Sequence, residues 1–226
     1  MTAVVFVLFE GVTQLDMTGP AQVLARLPGA RLTVAARSLA PVPTDSGFAI
    51  LPNATFASAP AADILCVAGG HGVTEALSGD QTIEFIRSAA SRARWVTSVC
   101  TGAFLLGRAG LLEGRRATTH WAYAHLLPLV GATHQPGRVV EDGNVITAGG
   151  VTAGIDFALT LVAREAGEAV ARSIQLALEY DPHPPFDGGT PAAAGSKRTA
   201  ALRKSIYDAA AARMERALRS AEGLPQ

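Results

Sequence analysis

The fold is decided by the stretch Trp95-Val96-Thr97-Ser98-Val99-Cys100-Thr101-Gly102-Ala103, in which a strand runs directly into the start of a helix. Its first five residues are mostly β-branched, aromatic or small, as in a strand that is covered on both faces. The helical stretch Phe104 to Ala109 follows without a long loop. The pattern is typical of a sharp turn from strand to helix in an α/β protein.

The same alternation of strands and helices is predicted on both sides of this stretch. Strands are expected over Ala3 to Phe9, Arg31 to Ala36 and Ile64 to Ala68, with a hairpin over Val42 to Leu51 and a strand pair from about Arg138 to Ile146. Helices are expected up to Leu27, over Gln81 to Ala93, near His120 to Leu129 and over Ala153 to Ala166. Such alternation implies a mainly parallel sheet with helices on both faces.

The first of these helices is expected to begin near Pro20. Proline suits the first helical turn, where its missing N–H is not needed, and Thr18 or Asp16 could cap it. Asp16 would then lie at the exit of the first strand.

The length of 226 residues suits one domain over 1–226. Residues 181–195 are rich in proline and glycine and are predicted to form a surface excursion. Residues 197–221 are rich in alanine and arginine, and are predicted to form an amphipathic C-terminal helix that packs on the domain or on a second subunit.

Composition argues against several classes of protein. Nineteen basic and nineteen acidic residues give a formal net charge of zero, which disfavours nucleic acid as a partner. No apolar run approaches the roughly 20 residues of a membrane span, and we infer a cytoplasmic protein. Two cysteines cannot form a disulfide framework, and no Cys/His cluster suggests a metal site.

Candidate chemistry gathers where ligands bind in open α/β sheets, beyond the carboxyl ends of the strands. Cys100 follows one strand, and a thiol at a helix N-terminus is expected to favour the nucleophilic thiolate and to titrate below about 8.5. Cys66 lies inside an apolar strand and is expected to be a buried core residue.

Two further groups follow neighbouring strands. Gly69 and Gly70 could direct backbone N–H groups towards the sulfur and form an oxyanion site, although a glycine pair can also simply end a strand. Asp16 could exchange protons with a substrate or could only cap a helix. His120 is a weaker candidate base, because a histidine beside Trp121 is as often a packed residue.

Several motifs together resemble the DJ-1/PfpI superfamily, and within it the bacterial isocyanide hydratases, over nearly the whole chain. They are Gln14 to Pro20, Ala68-Gly69-Gly70, Thr97 to Gly102, Arg116 to Trp121, Gly149 to Leu159, Gln175 to Pro182 and Pro184 to Phe186. Much of the superfamily has a glutamate where Asp16 stands, so this aspartate favours the hydratase subgroup. The chain departs from the pattern at Ala68, where proline is usual, and at His71.

The resemblance implies a flavodoxin-like, three-layer α/β sandwich that forms a homodimer and acts on a small-molecule substrate without metal or organic cofactor. Cys100 would be the nucleophile, Asp16 the acid and base, and Thr101 a nearby hydrogen-bonding residue. Gly69, Gly70 and His71 are predicted to form the oxyanion and substrate-binding site.

The reaction expected from the resemblance is hydration of an isocyanide to an N-substituted formamide through a cysteine thioimidate. Two alternatives remain open at this point. One is a glyoxalase-like conversion of α-oxoaldehydes, which would use the same thiolate on a carbonyl carbon. The other is a redox sensor in which the cysteine is oxidised to a sulfinate.

Overall fold

A seven-stranded sheet forms the centre of the computed structural model, which describes residues 1–221. Within that range the strands are β1 (Thr2–Val7), β2 (Ala30–Ala36), β3 (Val42–Pro43), β4 (Ala49–Ile50), β5 (Ala54–Thr55), β6 (Ile64–Val67), β7 (Trp95–Val99), β8 (Arg116–Ala117), β9 (Thr133–His134), β10 (Val139–Asp142) and β11 (Val145–Ala148). The order in the main sheet is β10-β11-β7-β6-β1-β2-β5, and all neighbours are parallel except β10 and β11.

The helices in the described range are α1 (Gln14–Leu24), α2 (Val73–Leu77), α3 (Asp80–Ala90), α4 (Gly102–Arg108), α5 (Ala153–Ala166), α6 (Glu168–Ala177), α7 (Pro191–Ala194), α8 (Ser196–Leu202) and α9 (Asp208–Ala221). A 3-10 helix covers Ala124–Val130, and a π-helical turn, Arg203–Tyr207, joins α8 to α9. Among residues 1–221 no helix is both long and apolar enough to cross a membrane.

Helices pack in two groups around the sheet. α5 contacts both α1 and α6, and α2 contacts α3, α4 and α9. The three-layer α/β arrangement with a mainly parallel sheet, predicted from the sequence, is therefore confirmed. The predicted single domain runs to residue 226, and its last five residues lie outside the described range.

Strands β1, β6 and β7 place the site. They are adjacent and in register, since Val67 of β6 pairs with Val7 of β1 and with Ser98 of β7. All four residues of β6 are buried, as its continuous apolar sequence predicts. The carboxyl ends of the three strands consequently open at one edge of the sheet, where a ligand can reach the residues that follow each strand.

The start of α1 differs from the prediction. The helix begins at Gln14, so Pro20 lies inside it and Asp16 lies in its first turn rather than at a cap. Proline in a helix removes one backbone hydrogen bond. Here the Pro20 ring packs against Gly154 of α5, where a Cβ would lie 3.0 Å from Pro20 Cδ. Contact between α1 and α5 has overridden the local preference of proline.

The C-terminal segment packs on its own domain. Ala211, Met214 and Leu218 of α9 are buried at helical spacing, and α9 contacts α2 and the 3-10 helix. This is one of the two locations predicted for it. The predicted surface excursion over 181–195 is almost all exposed. Residues 181–190 form no regular helix or strand, and the short helix α7 (Pro191–Ala194) lies in the remainder.

Candidate active site

Cys100 forms the sharp turn between β7 and α4. Its φ is 55°, a left-handed conformation that residues other than glycine rarely adopt. The chain needs Gly102 two residues later, because a Cβ there would lie 2.7 Å from the carbonyl oxygen of Ala68. The sequence thus combines a strained cysteine with a close backbone contact, as in a nucleophile elbow.

Hydrogen bonds hold this strained backbone in place. The N–H of Cys100 donates to the carbonyl oxygens of Ala148 and Gly149, at 3.1 and 2.8 Å. Its own carbonyl accepts a hydrogen bond from Thr119 Oγ1 at 2.7 Å. A cysteine fixed on both sides in this way keeps its side chain in one position relative to the sheet edge.

Asp16 lies beside Cys100 and is almost fully buried, with 1% of its surface exposed. Its Oδ2 accepts a hydrogen bond from the Gly69 N–H at 3.0 Å, whereas Oδ1 has no hydrogen-bond partner among the described residues. Burial raises the pKa of Asp16 to about 7, and the Gly69 N–H and the nearby Cys100 side chain only partly oppose this. The carboxyl group can therefore both accept and donate a proton near neutral pH.

The expected thiolate at Cys100 is not what the structure favours. Cys100 is buried, and burial raises the pKa of its thiol, with a further increase from the charge of Asp16. Hydrogen bonding from the N–H groups of Thr101 and Val151 and from the Thr101 hydroxyl lowers this pKa without reversing the shift. The resting group is a thiol, because burial outweighs the N-terminus of the short helix α4.

The predicted oxyanion role of Gly69 and Gly70 also needs correction. The Gly69 N–H is bound to Asp16, and the Gly70 N–H donates to Thr101 Oγ1 at 3.0 Å. Neither N–H is free to bind an anion. The glycines orient the two side chains instead, since a Cβ on Gly69 would lie 2.6 Å from Thr101 N and 2.9 Å from Asp16 Oδ2.

The N–H donors that do act on the sulfur belong to Thr101 and Val151. Val151 also has a positive φ, of 29°, just before α5. The sequence did not predict its role, because a backbone donor leaves no side-chain pattern. The only signal was its position in the Gly149 to Leu159 motif, directly after the buried strand β11.

A cavity of about 320 Å³ opens on Cys100 and Thr101. Predicted site residues Gly70 and His71 line it, and His71 is exposed to solvent. Gly69 is buried behind them. The structure therefore brings Cys100, Thr101, Asp16 and the glycine loop together, with His71 lining the same cavity.

An aromatic cluster forms a further part of the cavity lining. His120, Tyr123 and Tyr207 line it, together with Ile206. Burial lowers the pKa of His120 to about 4, and its Nδ1 accepts a hydrogen bond from the Ala122 N–H at 3.3 Å. His120 is therefore neutral and packed, which agrees with the prediction of a packed residue better than with the prediction of a catalytic base. Ile206 and Tyr207 were not predicted as site residues because they lie about 100 residues after the nucleophile.

Cys66 differs from Cys100 as predicted. It is 3% exposed in the middle of β6, and burial raises the pKa of its thiol to about 12. Among residues 1–221 no group of three or more His, Cys, Asp or Glu side chains is arranged to hold a metal ion.

Comparisons with known proteins agree with this geometry. The model of the DJ-1/PfpI family matches residues 2–164. Isonitrile hydratase from Pseudomonas putida is 50% identical over 219 residues, covering 92% of this chain and 96% of that protein. The crystal structure of a ThiJ/PfpI family protein from Pseudomonas syringae superposes with a TM-score of 0.92 at 38% identity, covering 96% of this chain and 90% of that one.

A more distant relative shares only part of its length. The HTH-type transcriptional regulator GbdR from Pseudomonas aeruginosa is 32% identical over 139 residues, which cover 60% of this chain and 37% of the regulator.

Proposed function

The chain belongs to the DJ-1/PfpI family, and from that premise we propose that it is an isocyanide hydratase that uses Cys100 as nucleophile and Asp16 as acid and base. The observation that carries the proposal is the pairing of a buried thiol at a strained elbow with a carboxyl group whose pKa is about 7. Isonitrile is another word for isocyanide, so the similarity to the Pseudomonas putida enzyme supports the same reaction.

The first half-reaction adds the thiol to the terminal isocyanide carbon. In R–N≡C this carbon accepts the new bond to sulfur and also carries the lone pair that receives a proton. Ionised Asp16 takes the proton from Cys100 as the S–C bond forms, and then delivers it to the carbon. The product is the thioimidate R–N=CH–S–Cys, in which every atom of the isocyanide and the thiol is retained.

The second half-reaction consumes one water. Asp16 removes a proton from the water as its oxygen attacks the thioimidate carbon, and the nitrogen is protonated, giving R–NH–CH(OH)–S–Cys. The C=O bond then forms as the C–S bond breaks, and the hydroxyl proton returns through Asp16 to the sulfur. The products are the formamide R–NH–CHO and free Cys100.

Thr101 and Val151 assist where charge develops on sulfur. The backbone N–H groups of both residues and the Thr101 hydroxyl lower the pKa of the Cys100 thiol, so they stabilise the negative charge that develops as the sulfur attacks and as it leaves. Gly69 and Gly70 keep Asp16 and Thr101 in position for these steps.

The assembly and location of the enzyme are part of the proposal. We expect a homodimer. An apolar groove of about 330 Å³, lined by Leu15 and Val23 of α1 and Ile155 of α5, supports this expectation because a second copy could cover it. Analytical ultracentrifugation tests it, with a single monomer species as the contrary result. A cytoplasmic location remains a prediction, which fractionation of the source cells tests.

The direct test mixes purified protein with an alkyl isocyanide and follows the formyl proton of the product by NMR. We expect stoichiometric formamide from the wild type and none above background from Cys100→Ala. The matched control is Cys66→Ala, which removes the other buried thiol and should retain turnover with lower stability. Absence of formamide with wild-type protein that still alkylates at Cys100 would reject the hydratase proposal.

A further inference from the structure

We propose that Ile206 and Tyr207 of the C-terminal segment form a ring-binding wall on one side of the active-site cavity. This wall selects neutral isocyanides whose N-substituent carries an aromatic ring. The proposal rests on the hydratase function above and concerns the same cavity. The aromatic cluster of His120, Tyr123 and Tyr207 lines this cavity, and a fourth ring, Trp121, contacts His120 and Tyr207 from outside the lining.

Tyr207 is the ring that connects this cluster. Its ring centre lies 5.0 Å from that of His120, 5.3 Å from Trp121 and 6.0 Å from Tyr123, in tilted or edge-on geometry. These separations are those of favourable aromatic contacts. Tyr207 and Tyr123 line the cavity together with Cys100, so a substrate bound to the sulfur meets their rings.

The backbone that presents Tyr207 is unusual. Arg203–Tyr207 is a π-helical turn inside an otherwise α-helical segment, and such turns often occur at functional sites because they redirect side chains. Contacts before and after the turn hold it in place. Arg203 lies 5.3 Å from the centre of the Trp121 ring, and the buried face of α9 begins at Ala211.

The chemistry of the lining favours an uncharged substituent. Burial lowers the pKa of His120 to about 4, raises that of Tyr123 to about 12 and raises that of Tyr207, so the three rings are neutral at pH 7. Ile206 adds an apolar side chain, and the acidic residue that shares the cavity is Asp45. An anionic substituent would meet the Asp45 carboxylate, and a cationic one would lie near Arg213, whose charge acts on Tyr123. A neutral ring would instead bury apolar surface against rings.

The shape of the substrate directs its substituent towards this wall. The C–N–R unit of a free isocyanide is linear, and it bends at carbon and nitrogen as the S–C bond forms. The substituent on nitrogen then extends from the sulfur into the cavity that Cys100, Ile206 and Tyr207 line. A methyl group ends close to the sulfur, and a benzyl group extends to the residues further from it. Tyr207 and Ile206 should therefore distinguish the two substrates.

The experiment compares kcat/KM for benzyl isocyanide and methyl isocyanide in the wild type, Tyr207→Ala, Tyr207→Phe and Ile206→Ala. We expect Tyr207→Ala to lower kcat/KM about tenfold for the benzyl substrate, mainly through KM, and less than threefold for the methyl substrate. Tyr207→Phe keeps the ring and should retain the wild-type ratio. The matched control is Leu202→Ala, which removes a partly exposed apolar side chain one turn earlier and outside the cavity lining, and should change neither value.

Equal losses for both substrates, or a loss in Tyr207→Phe as large as in Tyr207→Ala, would overturn the proposal. A second measurement does not depend on hydration: the rates of Cys100 alkylation by N-benzyl iodoacetamide and by iodoacetamide. Their ratio should fall several-fold in Tyr207→Ala and Ile206→Ala. If the wild type hydrates neither isocyanide but the alkylation ratio still falls in the two variants, the hydratase function fails and the ring-binding wall stands. An unchanged ratio rejects the wall.

Discussion

Two buried acidic groups lie side by side at the elbow, the Cys100 thiol and the Asp16 carboxyl group, and a proton can pass between them. Burial and the Asp16 charge raise the pKa of the thiol, so little thiolate is present near neutral pH, and rapid turnover needs a base that takes the proton as the S–C bond forms. Asp16, with a pKa of about 7, is that base when it is ionised. The reactive state is therefore thiol plus carboxylate, and not a preformed thiolate.

This assignment gives the reaction a defined pH dependence. Below about pH 7 Asp16 is protonated and cannot accept the thiol proton, so kcat/KM should fall about tenfold per pH unit, and it should reach a plateau above about pH 7.5. Initial rates of formamide formation between pH 5 and 9 measure it. A rate that instead rises only above pH 8.5 would mean that a free thiolate at Cys100 is the attacking species.

Asp16→Asn separates proton transfer from sulfur reactivity. The amide keeps the shape of the side chain but cannot exchange protons, so turnover should fall by about 10²-fold or more. The substitution also removes a negative charge that raises the pKa of Cys100, so alkylation of Cys100 by iodoacetamide at pH 8 should be as fast as in the wild type or faster. Near-wild-type turnover in Asp16→Asn would leave the carboxyl group without a catalytic role.

At the scale of elements, the loop after β6 joins the other two parts of the site. Gly69 N–H binds Asp16 of α1, and Gly70 N–H binds Thr101 at the start of α4. The carbonyl of Gly69 also accepts a hydrogen bond from the Thr13 N–H at 2.9 Å. The relative position of acid and nucleophile therefore depends on backbone groups of this loop.

Gly69→Ala tests this loop. The new Cβ would lie 2.6 Å from the Thr101 N, a backbone atom, so the loop, α1 or α4 has to shift. We expect kcat to fall at least about tenfold and the free energy of unfolding to fall by about 1–3 kcal/mol. The control is Gly189→Ala, where no atom lies within 4 Å of the added Cβ and both values should stay close to wild type. An active, stable Gly69→Ala would show that the loop adapts freely.

The sequence was informative wherever one element alone carries the signal. Strands β6 and β7 and helix α5 were predicted because their apolar runs are buried as single segments. The predicted start of α1 was wrong because Pro20 packs against Gly154 of α5, a contact that the local sequence does not show. Helix α6 was not predicted, although its apolar residues lie on one face, because it buries only Ala171 and Ile174 and follows α5 with a single residue between them.

The candidate site shows the same division. The positions of Cys100 and Asp16 could be predicted because side chains at strand exits are visible in sequence. The uses of the Gly69 and Gly70 N–H groups could not, because donors are chosen by three-dimensional neighbours. The contribution of Tyr207 depends on how the C-terminal segment folds back over the sheet edge, a contact about 100 residues apart in sequence.

On the scale of the whole molecule, the site contains a buried group, Asp16, and a partly buried one, His120, whose titrations have opposite effects on stability. Asp16 has a pKa raised from 3.8 to about 7, so the native state holds its proton longer than the unfolded chain, and stability is lost as pH rises through this range. His120 has a pKa lowered from 6.5 to about 4, so the unfolded chain takes the proton first, and stability is gained as pH rises through that range.

The two effects overlap between pH 4.5 and 6.5, where each amounts to about 2 kcal/mol, and they should nearly cancel in the wild type. When one of the two groups is replaced, the effect of the other on the pH dependence of stability is no longer cancelled. From pH 4.5 to pH 6.5, the free energy of unfolding of Asp16→Asn should rise by about 2 kcal/mol relative to the wild type. Over the same range, the free energy of unfolding of His120→Gln should fall by about 2 kcal/mol relative to the wild type. Urea unfolding at the two pH values measures all three proteins, and other titrating groups cancel because they are common to them. Parallel behaviour of Asp16→Asn and wild type would mean that Asp16 is already ionised at pH 4.5 in the folded protein, and its proposed role as a proton carrier near pH 7 would then lose its physical basis.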